Sequence, residues 1–323
     1  MKFVDYRSVS GHYYFLLKND RHKSDVTYVT NDDVSIKSSV MQFLYKLHHS
    51  RINKYFNLPF KNLWFKCFVP NTIDRNSDFL CFVITPSVII SYGESFVDYL
   101  RSRYNCRVAL VLGDKVAIYP KEFDVNHLKS VVDLVCTYNS IDSEHYGIKL
   151  HPSVVYDLEI KNEKNFSERS IDVLFVGQEK GRGETIVNLY HKCVDLGLKC
   201  DFNIIGETKQ PHQDGINYCS WIPYSEVFEK LKNSKCIINI LQPGASGITM
   251  RDTEAYNMGC YLMTSMIDPE LEQILNNGQI IGLDFFNKNL AEQIKARKEK
   301  FPRKTITNTV DNFYNWIEKS LQA

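Results

Sequence analysis

The run Cys236-Ile-Ile-Asn-Ile-Leu-Gln-Pro-Gly-Ala-Ser-Gly-Ile-Thr-Met-Arg251, continued by Asp252-Thr-Glu-Ala-Tyr-Asn-Met-Gly-Cys-Tyr-Leu-Met-Thr264, decides the fold. It reads as a buried strand, a glycine loop, a helix and a second buried strand, the pattern of a crossover between parallel strands. Pro243, Gly244 and Gly247 let the backbone turn tightly and approach a ligand. The helix that follows offers unpaired N–H groups and the positive end of its dipole to an anion. Thr249 and Arg251 add a hydroxyl and a fork of donors to its first turn, and Glu254 stands about one turn from Arg251 on the same face, where a carboxylate can take ribose hydroxyls. Gln242 and Ser246 complete the loop. These residues together predict a nucleotide site.

The same alternation extends to both sides. Strands are expected at 79–84, 107–112 and 133–137, with helices at 96–104 and 123–131 between them. After a charged stretch from Ser153 to Ser170, read as a linker, the alternation restarts with strands at 172–176 and 199–205 and continues to a helix at 290–300. The expected fold class is therefore α/β, with two doubly wound parallel-sheet domains. In the first 35 residues, Tyr13-Tyr-Phe-Leu-Leu17 and Val26-Thr-Tyr-Val29 look strand-like without a clear place. After Pro302 the chain ends in an amphipathic helix carrying Val310, Phe313, Tyr314, Ile317 and Leu321.

In open parallel sheets ligands bind beyond the carboxyl ends of the strands. The loop after 172–176 holds Gly177, Lys180 and Arg182, whose cations either neutralise a diphosphate or are solvated loop charges, and the segment Gly206-Glu-Thr follows the next strand. Trp221-Ile-Pro-Tyr224 precedes a helix, a place where an aromatic residue commonly staples the core. For proton abstraction from an attacking hydroxyl, Asp114 is the first choice, since it follows a strand through Gly113. Asp142, Glu144 and His145 come second and His12 third, each with an ordinary reading as turn, cap or surface residue. Asn31-Asp-Asp33 reads as a surface turn, so no metal site is expected.

The run Gln242-Pro-Gly-Ala-Ser-Gly-Ile-Thr-Met-Arg251 with Glu254-Ala255 resembles the donor-site signature of bacterial GT-B glycosyltransferases of the capsule, lipopolysaccharide and exopolysaccharide type. Asp172-Val-Leu-Phe-Val-Gly177, Lys180-Gly-Arg182 and Cys200-Asp-Phe-Asn-Ile-Ile-Gly206 resemble other blocks of that family's carboxyl-terminal domain. The resemblance covers the second half well and the first half in fragments, and it implies that Ile222 and Tyr224 border the nucleobase. It implies an acceptor-binding domain over 1–160, a nucleotide-sugar-binding domain over 171–303 facing it across a cleft, and a helix over 304–323 that packs back on the first domain. It also implies metal-independent transfer of a sugar from a nucleotide diphosphate sugar to a glycan or lipid-linked glycan acceptor, with no cofactor. Many retaining members carry a glutamate eight positions before the ribose-binding one, where this chain has Ser246, so stereochemistry stays open. An epimerase, a polyol-phosphate transferase and a catalytically silent binding subunit remain alternatives on the same scaffold.

With 323 residues, 44% hydrophobic and 24% charged, the chain suffices for two cored domains. A net charge of +1 argues against a nucleic-acid partner recruited by a global positive field, and none is expected. The nine cysteines form no C-x-x-C pair and suit buried thiols in a reducing cytosol. The amino terminus is too polar for a signal peptide, so a cytoplasmic location is expected. From Val34 to Ile73 there is no acidic residue, while Lys37, Lys46, Arg51, Lys54, Lys61 and Lys66 alternate with aromatic residues. That segment either lies on the anionic inner face of a membrane or forms surface helices with aromatics in the core and solvated lysines.

Overall fold

The computed structural model describes residues 1–9, 11–21, 26–30, 36, 38–48, 60–70, 72–73, 79–206, 215–242 and 247–322. Two compact units divide the chain: Met1–Pro152 with Val310–Ala323, and Ser153–Thr309.

The first unit contains strands β1 (Lys2–Asp5), β2 (Val26–Tyr28), β3 (Leu80–Ile84), β4 (Cys106–Leu112), β5 (Leu134–Thr137) and β6 (Lys149–Leu150). They form one sheet in the order β2-β1-β3-β4-β5-β6. Every pairing is parallel; Val4 faces Phe82, which faces Val108. A parallel sheet needs a crossover between successive strands and is covered on both faces, which is why β3 is buried at every residue of Leu-Cys-Phe-Val-Ile. Phe65, Phe68, Tyr92 and Phe96 cover it with an aromatic cluster, Phe68 and Tyr92 having centroids 4.5 Å apart and Phe65 and Phe96 5.2 Å.

One expectation fails here. Tyr13–Leu17 is not a strand but the middle of the helix Gly11–Asn19. Its aromatic and leucine content favours a strand only as a weak local tendency, and burial of the adjacent pair Leu16 and Leu17 in the crossover from β1 overrides it.

The carboxyl-terminal helix Val310–Gln322 belongs to the first unit and buries Val310, Phe313, Tyr314 and Ile317, a stripe at helical spacing. Its docking is polar as well as apolar. The Tyr314 hydroxyl donates to Asp5 Oδ2 at 2.6 Å, Arg7 Nε donates to the same oxygen at 2.9 Å, and the Arg7 guanidinium lies 4.3 Å from the Phe313 ring centroid. Asp5 and Arg7 are both buried, so each charge needs the other.

The second unit contains β7 (Ile171–Gln178), β8 (Cys200–Ile205), β9 (Ile216–Cys219), β10 (Ser234–Asn239), β11 (Tyr261–Thr264) and β12 (Ile280–Gly282), all parallel in the order β12-β11-β10-β7-β8-β9. The charged stretch 153–170 is anchored in this unit. Val155, Leu158 and Phe166 are buried, and the Asn257 side chain accepts from the Leu158 N–H at 2.8 Å and donates to the Tyr156 carbonyl at 2.6 Å.

His151, just after β6, is buried with its ring 5.2 Å from Phe313 and 6.1 Å from Trp316. Its Nδ1 faces the Pro152 carbonyl at 2.9 Å, while Nε2 has no partner among the described residues. Burial lowers its pKa from 6.5 to about 4; the Pro152 carbonyl opposes the shift and the Arg7 charge reinforces it. The unfolded chain therefore takes up a proton that the folded one refuses between these two values. Stability from this group is complete above pH 6.5 and falls as pH drops towards 4, by about 3 kcal/mol in all. Urea unfolding of the wild type and His151→Leu across that window should show a steeper acid loss in the wild type; parallel curves would exclude the buried neutral imidazole.

Candidate active site

In the second sheet β7 leads to β8 on one side, while β10 lies on its other side, so the chain reverses direction between β7 and β10. This is the topological switch point, where an open α/β sheet leaves a crevice beyond the carboxyl ends of its strands. Two guanidinium groups meet there. Arg182 follows β7 and donates to the carbonyls of Gln178 at 2.6 Å, Glu179 at 3.2 Å and Ile240, just past β10. Arg251, in the first turn of the helix Met250–Met258, donates to the Val176 carbonyl and to Glu254 Oε2.

Glu254 is completely buried and receives the Tyr224 hydroxyl on Oε1 at 2.9 Å. Each of its oxygens thus has a donor and keeps a further lone pair. Burial raises the Tyr224 pKa well above 10.0, with the Glu254 charge second. For Arg251, burial acts to lower the pKa, but the Glu254 carboxylate more than offsets it and the net shift is upward. Arg182 behaves oppositely: burial lowers its pKa and the neighbouring Arg251 charge lowers it further. Among the described residues no carboxylate pairs with Arg182. Among the described residues, two guanidiniums against one buried carboxylate leave a positive charge held in place by main-chain carbonyls, the chemistry a candidate anion site needs.

The loop into the helix departs from the sequence reading. Gly247 has a left-handed backbone (φ 78°), which glycine alone adopts freely, but its N–H donates to Asp268 Oδ2 at 3.2 Å. The Ile248 N–H donates to Ser153 Oγ at 3.3 Å and the Thr249 N–H to Asp252 Oδ2 at 2.6 Å. The N–H groups of Gly247, Ile248 and Thr249 are therefore used by the fold, and the Thr249 hydroxyl accepts from Asn239 Nδ2 at 3.0 Å. The physical reason is Asp252, which forms a capping box with Thr249 and is itself held by Asn239 at 2.8 Å. Burial raises the Asp252 carboxyl to about 6.

Gly177 lies at the end of β7, where a Cβ would come within 3.2 Å of the Phe175 ring. Lys180 is exposed beside it with a left-handed φ of 44°, and Gln242 is half-buried after β10. Gly244 and Ser246, like Pro243, the Glu207-Thr208 segment and Asn31-Asp-Asp33, fall outside the described residues. Asn239 and Asp252 were missed by sequence reasoning. Thr-x-x-Asp before an apolar run was a usable signal for Asp252; Asn239, inside a strand, offered none.

In the first unit Asp114 stands half-buried after β4, where its N–H faces the Tyr119 hydroxyl at 3.0 Å and its Oδ1 accepts from the Lys115 N–H at 3.1 Å. Burial raises the pKa of Tyr13, Tyr119 and Tyr138, and the Asp114 charge adds to each shift. Asp142 is engaged otherwise: buried at the start of the helix Ser140–Tyr146, it accepts from the Val116 N–H at 2.9 Å. Glu144 and His145 lie later in that helix, and His12 in the helix after β1.

No protein-family model and no curated protein sequence matches the chain. Solved structures do match. An α-glucosyltransferase in complex with UDP and a 13-mer DNA containing a HMU base superposes over 100% of both chains, with a TM-score of 0.54 and 10% identity. An α-glucosyltransferase with UDP and a 13-mer DNA containing a central A:G mismatch covers 91% of this chain and 87% of its own, with a TM-score of 0.52 and 12% identity. The fold is GT-B. At these identities the likeness is one of fold. Both of these structures hold DNA, which is a property of those two proteins.

The buried pair yields a stability prediction. Arg251→Ala strands the Glu254 charge and should cost about 3–5 kcal/mol, whereas Tyr224→Phe removes one charged hydrogen bond and should cost about 1.5–3 kcal/mol. Denaturant unfolding checks both; an Arg251→Ala loss no larger than that of an exposed substitution would show that the pair does not anchor the site.

Proposed function

We propose that the chain transfers a sugar from a nucleotide diphosphate sugar to a hydroxyl acceptor. The observation that carries this reading is the Arg182–Arg251 pair at the switch point of β7 and β10. Breaking a glycosyl–phosphate bond builds negative charge on the departing phosphate, and two guanidiniums already oriented by carbonyls stabilise it with little reorganisation. UDP in both α-glucosyltransferase structures supports a nucleotide diphosphate as the leaving group. Arg182 and Arg251 would meet its charge in place of a metal ion, assisted by Lys180. Gly177, Gln242, Gly244, Ser246, Gly247 and Thr249 would shape the donor loop, with no cofactor. Glu254 would offer its remaining lone pairs to the ribose, and Asp114 would take the proton from the attacking hydroxyl.

For the acceptor, the resemblance of the donor loop supports a glycan of the capsule or lipopolysaccharide type, lipid-linked at the cytoplasmic face of a membrane. A second reading, transfer to a modified base in DNA, is favoured by the DNA in both α-glucosyltransferase structures. A silent subunit would bind nucleotide without turnover, and an epimerase would convert the donor without transferring its sugar.

Calorimetry against a panel of nucleotide sugars, followed by transfer assays on lipid-linked glycan and on hydroxymethylated DNA, tests the proposal. Arg182→Gln should weaken nucleoside diphosphate binding by about 1.5–3 kcal/mol and leave the nucleoside alone unaffected. Glu254→Gln should weaken both if Glu254 touches the ribose, and only the diphosphate if it acts solely through Arg251. Lys180→Ala should lose more turnover than affinity. Failure of every nucleotide sugar to bind the wild type would sink the reading.

A further inference from the structure

Within the acid-free segment from Val34 to Ile73, the described residues 38–48 and 60–70 carry large apolar side chains that stand exposed. In the helix Ser39–His48, Met41 and Tyr45 lie one turn apart and pack on the core, and Tyr45 meets Trp64 edge-on at 5.4 Å. A second stripe, Val40, Phe43 and Leu44 at helical spacing, points outward, with exposures of 66%, 66% and 37%. Beyond Trp64 the pattern repeats in the short 3-10 turn Lys61–Trp64: Trp64 is buried, while Leu63 is 57% exposed and the preceding Phe60 69%. Phe60 also holds a left-handed backbone (φ 65°), which a bulky residue adopts only against steric resistance. Lys46 and Lys61, on these two elements, and Lys66, on the short helix Phe65–Phe68 that follows, are exposed or half-exposed, and among the described residues no carboxylate pairs with any of them.

We infer that this face docks the protein on an anionic lipid bilayer, with Phe43, Phe60, Val40, Leu44 and Leu63 below the headgroups and Lys46, Lys61 and Lys66 on their phosphates. The composition selects the occupant. Aliphatic and aromatic side chains set between cations match an interface whose outer layer is anionic and whose next layer is hydrocarbon. A nucleic-acid backbone would satisfy the lysines but give Val40, Leu44 and Leu63 nothing to be buried in. A second copy of the same face would set lysine against lysine with no acid to answer it. Among the described residues no helix is long and apolar enough to cross a membrane, so the docking concerns the surface. The inference uses none of the donor-site residues and stands whether or not the chain transfers sugar.

Co-sedimentation of the full chain with vesicles of phosphatidylcholine alone and with added phosphatidylserine tests it. The wild type should bind the anionic vesicles and not the neutral ones, and rising salt should weaken binding. Phe43→Ser with Phe60→Ser, and separately Lys46→Ser with Lys61→Ser and Lys66→Ser, should each reduce partitioning by roughly tenfold or more. Thermal melts of both variants should match the wild type, since the replaced side chains are wholly or largely outside the core. Wild type that stays in the supernatant, or variants that sediment equally well, overturn the inference. So does a duplex DNA affinity that only the lysine variant loses, or a dimer that dissociates with Phe43→Ser and Phe60→Ser while vesicle binding is absent.

Discussion

Glu254 is a carboxylate with no exposed surface, and the chemistry at the switch point of the second sheet depends on how that charge is compensated. An isolated buried carboxylate would take up a proton or unfold its surroundings; here Arg251 and the Tyr224 hydroxyl supply a donor to each oxygen. That arrangement fixes the direction of Arg251, which also reaches the Val176 carbonyl of β7. Arg182 then sits beside a guanidinium whose charge is already matched, while among the described residues its own charge is met by carbonyl dipoles only. That imbalance is a consequence of the pair, and it is what makes the crevice a candidate anion site.

Both sheets reverse their strand order once, and the chain treats the two reversals differently. In the first, between β1 and β3, Asp5 and Arg7 follow the carboxyl end of β1 and are engaged by Tyr314 and Phe313 of the carboxyl-terminal helix. A crevice that the topology opens for a ligand is there occupied by the protein's own side chains. In the second, between β7 and β10, the polar groups are cations without such a plug among the described residues. One topology therefore yields a structural anchor in one unit and a candidate catalytic site in the other, because side-chain chemistry, not strand order, determines what the crevice holds.

The approach to the helix Met250–Met258 shows how a fold can engage the backbone donors that lead into a helix. Asp252 at its third position meets the N–H of Thr249, Asn239 holds both residues from β10, and Asp268 takes the N–H of Gly247. The fold uses these donors internally, while the Arg182 and Arg251 side chains reach across the strand ends.

Continuous apolar strands such as Leu80–Ile84, alternating with amphipathic helices, determined by themselves that the chain forms two parallel α/β sheets, since only crossovers covering both faces can bury such runs. The spacing of Arg251 and Glu254, three residues apart, likewise determined that they share a helix face. Tertiary structure alone decided the rest. Tyr13–Leu17 became helix because the crossover from β1 needed one, and the N–H groups of Thr249 and Gly247 were engaged by Asp252 and Asp268, one of them well outside the helix. Arg182 was placed beside Arg251 by the pairing of β7 with β10, strands whose first residues are 63 positions apart in sequence yet adjacent in the sheet. Local spacing fixes which side chains share a face; only the folded sheet determines which faces meet, and the charge balance of the candidate site is a property of that meeting.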